Sequence, residues 1–361
     1  MLRSFAVIAV FSAAALAACG EEGTGPLAPS AAGADTGGFP PVVSAYGMVS
    51  IQDGAVVPNT GVTPYDLNTQ LFSDYAVKFR TVWMPPGTSV SYQDTARFEF
   101  PVGTVITKSF GFPADFRVVG APVKWVETRV LVRGAGGWTG TSYTWDDAQK
   151  VATINPGGEI VDLSFIDTNG QTQTPTYLVP SQAQCQKCHA NDGAMISLGP
   201  WAMQLNRDYA YADGTENELA RWTDLGILTG APPPSQAPVL PVFDDPTTGD
   251  VASRARAYLQ ANCSYCHNGN GEARTSGLVL LYTETDPYAL GICKTPVAAG
   301  KAAANQKYDI VPGSPSASIL PYRMTSTDPG VAMPELGRSL EHVEAVDLIN
   351  QWITAMPGGC P

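Results

Sequence analysis

The chain carries CQKCH at residues 185–189 and CSYCH at 263–267, yet it has only three histidines in 361 residues. Two of the three follow directly on a Cys-x-x-Cys pair. In a single helical turn, positions i, i+3 and i+4 share one face. Each string therefore presents two thiols and an imidazole side by side. The fold must hold two such turns and leave space in front of each. Cys-x-x-Cys-His is the attachment string for c-type haem. On this reading Cys185 and Cys188, and likewise Cys263 and Cys266, form thioethers, while His189 and His267 ligate iron. The expected cofactors are two covalently bound haem c groups. A four-cysteine zinc site is a poor rival. The pairs in a zinc ribbon stand about 15–20 residues apart, and such a site leaves both histidines unexplained. A thioredoxin-like redox pair lacks its βαβ surroundings.

The N-terminus reads MLRSFAVIAVFSAAALAACG. A basic Arg3 precedes an apolar stretch too short to span a bilayer as a helix. Residues 1–18 are read as a signal peptide. Leu16-Ala17-Ala18-Cys19 has the form of a lipobox, which implies cleavage before Cys19 and lipidation of it. No Asp follows Cys19 directly, which by analogy with bacterial sorting favours the outer membrane. Residues 19–40, rich in Gly, Pro, Ala and Ser, are read as a flexible linker from the lipid anchor. The expected location is an outer-membrane lipoprotein facing the periplasm or the cell surface. The net charge is −12 with no basic patch, which argues against nucleic acid as a partner and suits a redox partner with a basic surface.

Thirty-six glycines and 30 prolines forecast many turns. Residues 77–83, 97–112, 126–133 and 138–145 are rich in Val, Thr and aromatics and read as strands. In 126–133 Glu127, Arg129 and Arg133 fall on one face. An antiparallel, sandwich-like β-domain over 41–180 is expected, with Trp83, Trp125, Trp138 and Trp145 in its core rather than on a sugar-stacking face. Beyond it the chain reads as mostly helical, cytochrome c-like haem segments, 181–245 and 246–361, giving an α+β multidomain protein. Ser181 is placed to cap a helical turn into CQKCH. Thr215 and Glu218 form a possible capping box for a helix over 215–226. Residues 230–241 read as a proline-rich linker, and 250–262 and 339–356 as helices.

Each iron needs a sixth ligand or an open position. Met333, in a loop Met-Pro ahead of the last helix, is the candidate for the second haem, with Met324 as the alternative that more readily packs in a core. For the first haem, Met203 and Met195 are the nearby candidates; a ligand from the β-domain or an open site are the other readings. The Pro200 carbonyl is a candidate acceptor for the His189 Nδ1 proton. Arg323 is read either as a haem-propionate partner or as a plain surface arginine. His342 reads as a solvated residue. Cys293 and Cys360 remain over, an even number in an oxidising compartment, and are expected to form a disulfide.

Strings along the whole mature chain, among them YDLNTQLFSDYAVKFRTVWMPPG, FEFPVGTVITKSFGFP, GWTGTSYTWDDAQ, LGPWAMQLNRD, YDIVPGSPSASILPYRM and AMPELGR, resemble a family of exported bacterial dihaem c-type cytochromes. The resemblance implies an N-terminal β-domain followed by cytochrome-like haem segments, with the six residues of the two strings as haem residues. It implies no particular activity. The leading expectation is electron carriage. The alternatives are a dihaem enzyme of peroxidase-like or other small-ligand redox chemistry with an open first iron, and a β-domain binding module carrying redox haems. No Ser-His-Asp hydrolase set is available.

Overall fold

The computed structural model describes residues 27–33, 38–52 and 54–361; the expected signal peptide, 1–18, and Cys19 lie outside them. The fold mixes helices with antiparallel strands. Its centre is a six-stranded meander of β1 (Thr63–Tyr65), β2 (Val77–Trp83), β3 (Val105–Pro113), β4 (Val123–Gly134), β5 (Gly137–Trp145) and β6 (Ala152–Ile154), each pairing with the next. The helices are α1 (Gln182–His189), α2 (Ala202–Leu205), α3 (Glu218–Asp224), α4 (Val251–Asn262), α5 (Ile319–Thr325) and α6 (Val343–Ala355).

The sheet is not half of a sandwich. One face carries Val105, Trp125, Val130, Val132 and Tyr143, and is covered by residues 43–62, including the hairpin Val49–Gln52 with Ala55–Pro58. The other face mixes Val82, Ile106, Leu131 and Trp138 with Arg80, Lys108, Glu127 and Arg129. A second apolar sheet would leave those charges without partners. Instead this face receives chain from beyond residue 190. Ala202, Leu205, Leu219, Trp222, Leu228 and Ala237 join its core, and Leu228–Thr229 pairs in parallel with Val90–Ser91. The expected boundary at 180/181 therefore does not separate two cores.

Three other local readings change. The end of the expected linker 19–40 is packed rather than loose: Ala31, Ala32 and Phe39 pack against the core that Tyr46 and Met48 share with the sheet, and the Ser30 amide donates to the Tyr46 carbonyl at 3.0 Å. Residues 230–241 are tied down rather than loose. Leu240 is buried, its amide donates to the Met203 carbonyl at 2.8 Å, and Asn206 Nδ2 donates to the Pro234 and Ala237 carbonyls. Thr215 caps no helix, because Gly214–Asn217 pairs as a strand with Asp208–Tyr211. Asn217 caps α3 instead, and Glu218 turns inward to accept the Asp66 amide at 2.7 Å. Of the strand tryptophans, Trp125 and Trp138 are buried and Trp83 and Trp145 half-buried, which agrees with core roles.

The C-terminal region has its own core, in which α4 and α6 pack together with Leu280, Ile310 and Met324. Asp250 caps α4 by accepting the Ser253 amide at 2.7 Å. Helix α6 starts at Val343, later than expected. Residues 66–76 bind this region to the sheet. Asp74 accepts the Ser339 and Leu340 amides, both at 2.7 Å, and Asn262 Oδ1 accepts the Phe72 amide at 2.7 Å. The Cys293–Cys360 disulfide is present and ties the chain end to this region.

His342 is not solvated. Its ring stacks on Phe72 at 4.1 Å, edges onto Tyr75 and Phe243, and hydrogen-bonds Tyr258 through Nδ1 at 3.1 Å. Burial, with help from Lys78 and Arg338, holds its pKa down at about 3. The unfolded imidazole titrates near 6.5. The native state therefore binds fewer protons between these values, and stability falls as pH drops through that window, by at most about 1.4 kcal/mol per unit. Denaturant titrations at pH 6 and pH 4 are expected to show a loss of roughly 2 kcal/mol from this residue. His342→Phe, which keeps the stack on Phe72, should flatten that part of the slope. An unchanged slope in the variant contradicts this assignment.

Candidate functional site

Helix α1 begins with a reciprocal cap: the Gln184 amide donates to Ser181 Oγ, and the Ser181 amide donates to Gln184 Oε1. This sets the helical phase that puts Cys185, Cys188 and His189 at i, i+3 and i+4. The second string starts where α4 stops. Asn262 is held by the Gln70 and Tyr258 carbonyls, and the turn continues as the His267 amide donates to the Cys263 carbonyl at 2.9 Å.

The two strings meet. The Cys188 and Cys266 side chains lie close enough to perturb each other's thiols, and the Asp192 amide donates to the Asn270 carbonyl at 3.0 Å. A cavity lies on each side of this junction. The first, about 420 Å³, is bordered by Cys185, His189, Trp201 and Met203 and roofed by the sheet residues Arg80, Lys108 and Arg129. The second, about 470 Å³, is bordered by Cys188, Cys263, Cys266, His267, Arg323 and Met333. Tyr265 borders both. Both volumes fall in the range of about 300–1,000 Å³ usual for ligand clefts. The second string thus lines one cavity completely, while the first is divided at the junction, with Cys188 facing the second cavity.

The imidazoles are oriented for ligation. His189 Nδ1 hydrogen-bonds the Ile196 carbonyl at 2.7 Å and His267 Nδ1 meets Ser276 Oγ at 3.1 Å, which leaves each Nε2 free to face its cavity. The expected acceptor, the Pro200 carbonyl, instead takes the Phe98 amide at 3.3 Å. The short hairpin of Ala190–Asn191 with Ala194–Met195 folds Ile196 back toward His189, and that turn was not legible in LGP. Burial holds both histidines down at about 4, so the rings are neutral donors of a lone pair. Burial pushes the Cys185 thiol up, and the Cys263 thiol up to about 12. The nearness of Cys266 pulls the Cys188 thiol down and, in return, raises that of Cys266. With three of four thiols raised, the strings do not have the lowered-pKa character of a dithiol oxidoreductase. Among the described residues no three His, Cys, Asp or Glu side chains converge as they would around a bare metal ion.

The methionines separate clearly. Met333 borders the cavity of His267, and Met203 that of His189. Met195 packs toward the sheet at Gly140, where an added Cβ would lie 2.9 Å from its Cε. Met324 is buried in the C-terminal core with one edge on the second cavity. The loop bearing Met333 is held by Arg338, which donates to the carbonyls of Met333, Arg323, Ser326 and Leu340. Sequence reasoning missed Arg338, because its partners are backbone atoms. Arg323 is neither exposed nor idle: it is half-buried, borders the second cavity, and donates to the Val331 carbonyl at 2.9 Å.

Two walled cavities, one bordered by His189 and Cys185 and the other by His267, Cys188, Cys263 and Cys266, suit a flat apolar group bound through sulfur and nitrogen. The residues therefore fit covalent haem. No family model, no curated protein and no solved structure matches the chain.

Proposed function

We propose that the chain is an exported dihaem c-type cytochrome, of the family its sequence resembles, which carries electrons at the periplasmic or outer-membrane surface through a lipid anchor on Cys19. The observation that carries this reading is the junction of the strings, at which Cys188 and Cys266 border the same cavity and a cavity opens on either side. Bound haem supplies a one-electron couple at each iron. The chain's part is to bind, orient and shield. Cys185, Cys188, Cys263 and Cys266 are the attachment points, and His189 and His267 the ligands. Met333 is the sixth ligand at the second site and Met203 at the first. The Ile196 carbonyl and Ser276 hydroxyl fix the imidazoles. Tyr265, common to the borders of both cavities, stands between the two sites. The acidic chain suits a basic redox partner.

Carbon monoxide tests the closed coordination that electron carriage implies. The dithionite-reduced protein, matured with both haems, is expected to bind none at neutral pH, and Met333→Ala is expected to open one site. Binding by the unaltered protein at the CQKCH haem contradicts this reading in favour of a dihaem enzyme with small-ligand chemistry at an open first iron.

A further inference from the structure

The sheet face over the first cavity carries a row of cations that the reading above does not use. Across three adjacent strands Arg80 stands opposite Lys108, and Lys108 opposite Arg129; Ser142 on β5 continues the row. Like charges placed directly opposite on a sheet repel. The outer two are compensated. Arg129 pairs with Glu127, which is fully buried and also takes the Tyr177 hydroxyl at 2.7 Å, and Arg80 pairs with Asp66. Lys108, between them, makes no ion pair and no hydrogen bond among the described residues. Its amino group lies 4.7 Å from the centre of the Phe110 ring, which Arg129 also contacts, and burial beside Arg80, Lys78 and Arg129 pushes its pKa well down, so that a carboxylate arriving in the cavity would restore its charge. All three cations border the cavity that holds Cys185 and His189.

The row has a direction. Helix α1, which carries Cys185, packs against β5 beside Ser142 at one end. With strands about 4.8 Å apart, Lys108 stands about 10 Å and Arg80 about 14 Å from that contact along the row. The vinyl groups of haem, which the cysteines capture, and its two propionates lie on opposite edges of the porphyrin. An occupant fixed by sulfur at Cys185 thus turns its carboxylates toward the cations at the far end.

We infer that Lys108, flanked by Arg80 and Arg129, is the receptor for the propionate carboxylates of the haem attached at Cys185 and Cys188. The haem-segment cavity is then closed by the β-domain, and the sheet sets the first haem's potential. This rests on the dihaem reading. A nearby cation favours the reduced state, which carries one positive charge less.

The test is Lys108→Met in the full-length matured protein, with Lys108→Arg beside it. Intact mass must first show two haems; their absence sinks the dihaem reading and this inference together. With both present, redox titration is expected to show one of the two midpoint potentials lowered in Lys108→Met, the other held, and the lowered one restored in Lys108→Arg. Unchanged potentials at full loading overturn the inference and leave the dihaem reading standing. A wild-type potential that responds to added inorganic phosphate at fixed ionic strength, with the response lost in Lys108→Met, also overturns it, since the row would then hold a free anion.

Discussion

Arg129→Met is expected to destabilise the protein by about 3–5 kcal/mol, the usual cost of leaving one member of a buried ion pair uncompensated. Glu127 has no exposed surface, and both its oxygens are committed to Arg129, at 2.5 and 2.9 Å. Without the guanidinium, a carboxylate is stranded between the sheet and the CQKCH segment. The cost belongs to the orphaned charge rather than to the value of the pair. Removing both charges, as Glu127→Gln with Arg129→Met, should therefore recover much of it. Chemical denaturation of the two variants measures the difference. Equal losses contradict the buried-pair account.

Trp222→Ala is the second large effect, at about 3–5 kcal/mol. Trp222 is fully buried where the helical chain meets the sheet, edge-on to Tyr65 at 5.8 Å and 6.3 Å from Phe98. Because those contacts join residues 65–138 to 202–237 in one core, the loss should appear as a single shifted unfolding transition seen equally by probes in both parts. Two separated transitions would restore the boundary at 180/181. The indole Nε1 has no partner among the described residues, so Trp222→Phe, which loses ring volume and none of the described hydrogen bonds, should cost clearly less.

The sequence was readable wherever period and local chemistry decide the outcome. The strands Val77–Trp83, Val123–Gly134 and Gly137–Trp145 follow from alternation and β-branched residues, α4 from the run 250–262, and the turn into CQKCH from Ser181, whereas the run expected over 97–112 is a strand only from Val105. Alternation also put Glu127 and Arg129 on one face correctly. It cannot tell whether such a face meets water or a second layer, and here the layer arrives from residues more than sixty positions downstream. The same blindness explains His342. Polar context and a helix start suggested solvent, whereas Phe72, Tyr75, Phe243 and Tyr258 close round it from distant parts of the chain. The site residues were visible as strings because covalent attachment demands a fixed spacing. Their supports, Ile196, Ser276 and Arg338, were not, since each acts through a contact that any residue with the right atom can make.

The adjacency of the strings is the part of the site that no spacing revealed, and the central claim is that each of them holds a haem. Intact mass and haem stoichiometry of the full chain, exported from a host with a cytochrome c maturation system, test it most directly. The expected result is two haems per chain, one lost in Cys185→Ser with Cys188→Ser and the other lost in Cys263→Ser with Cys266→Ser. A bare polypeptide mass, with the four thiols open to alkylation, would contradict it.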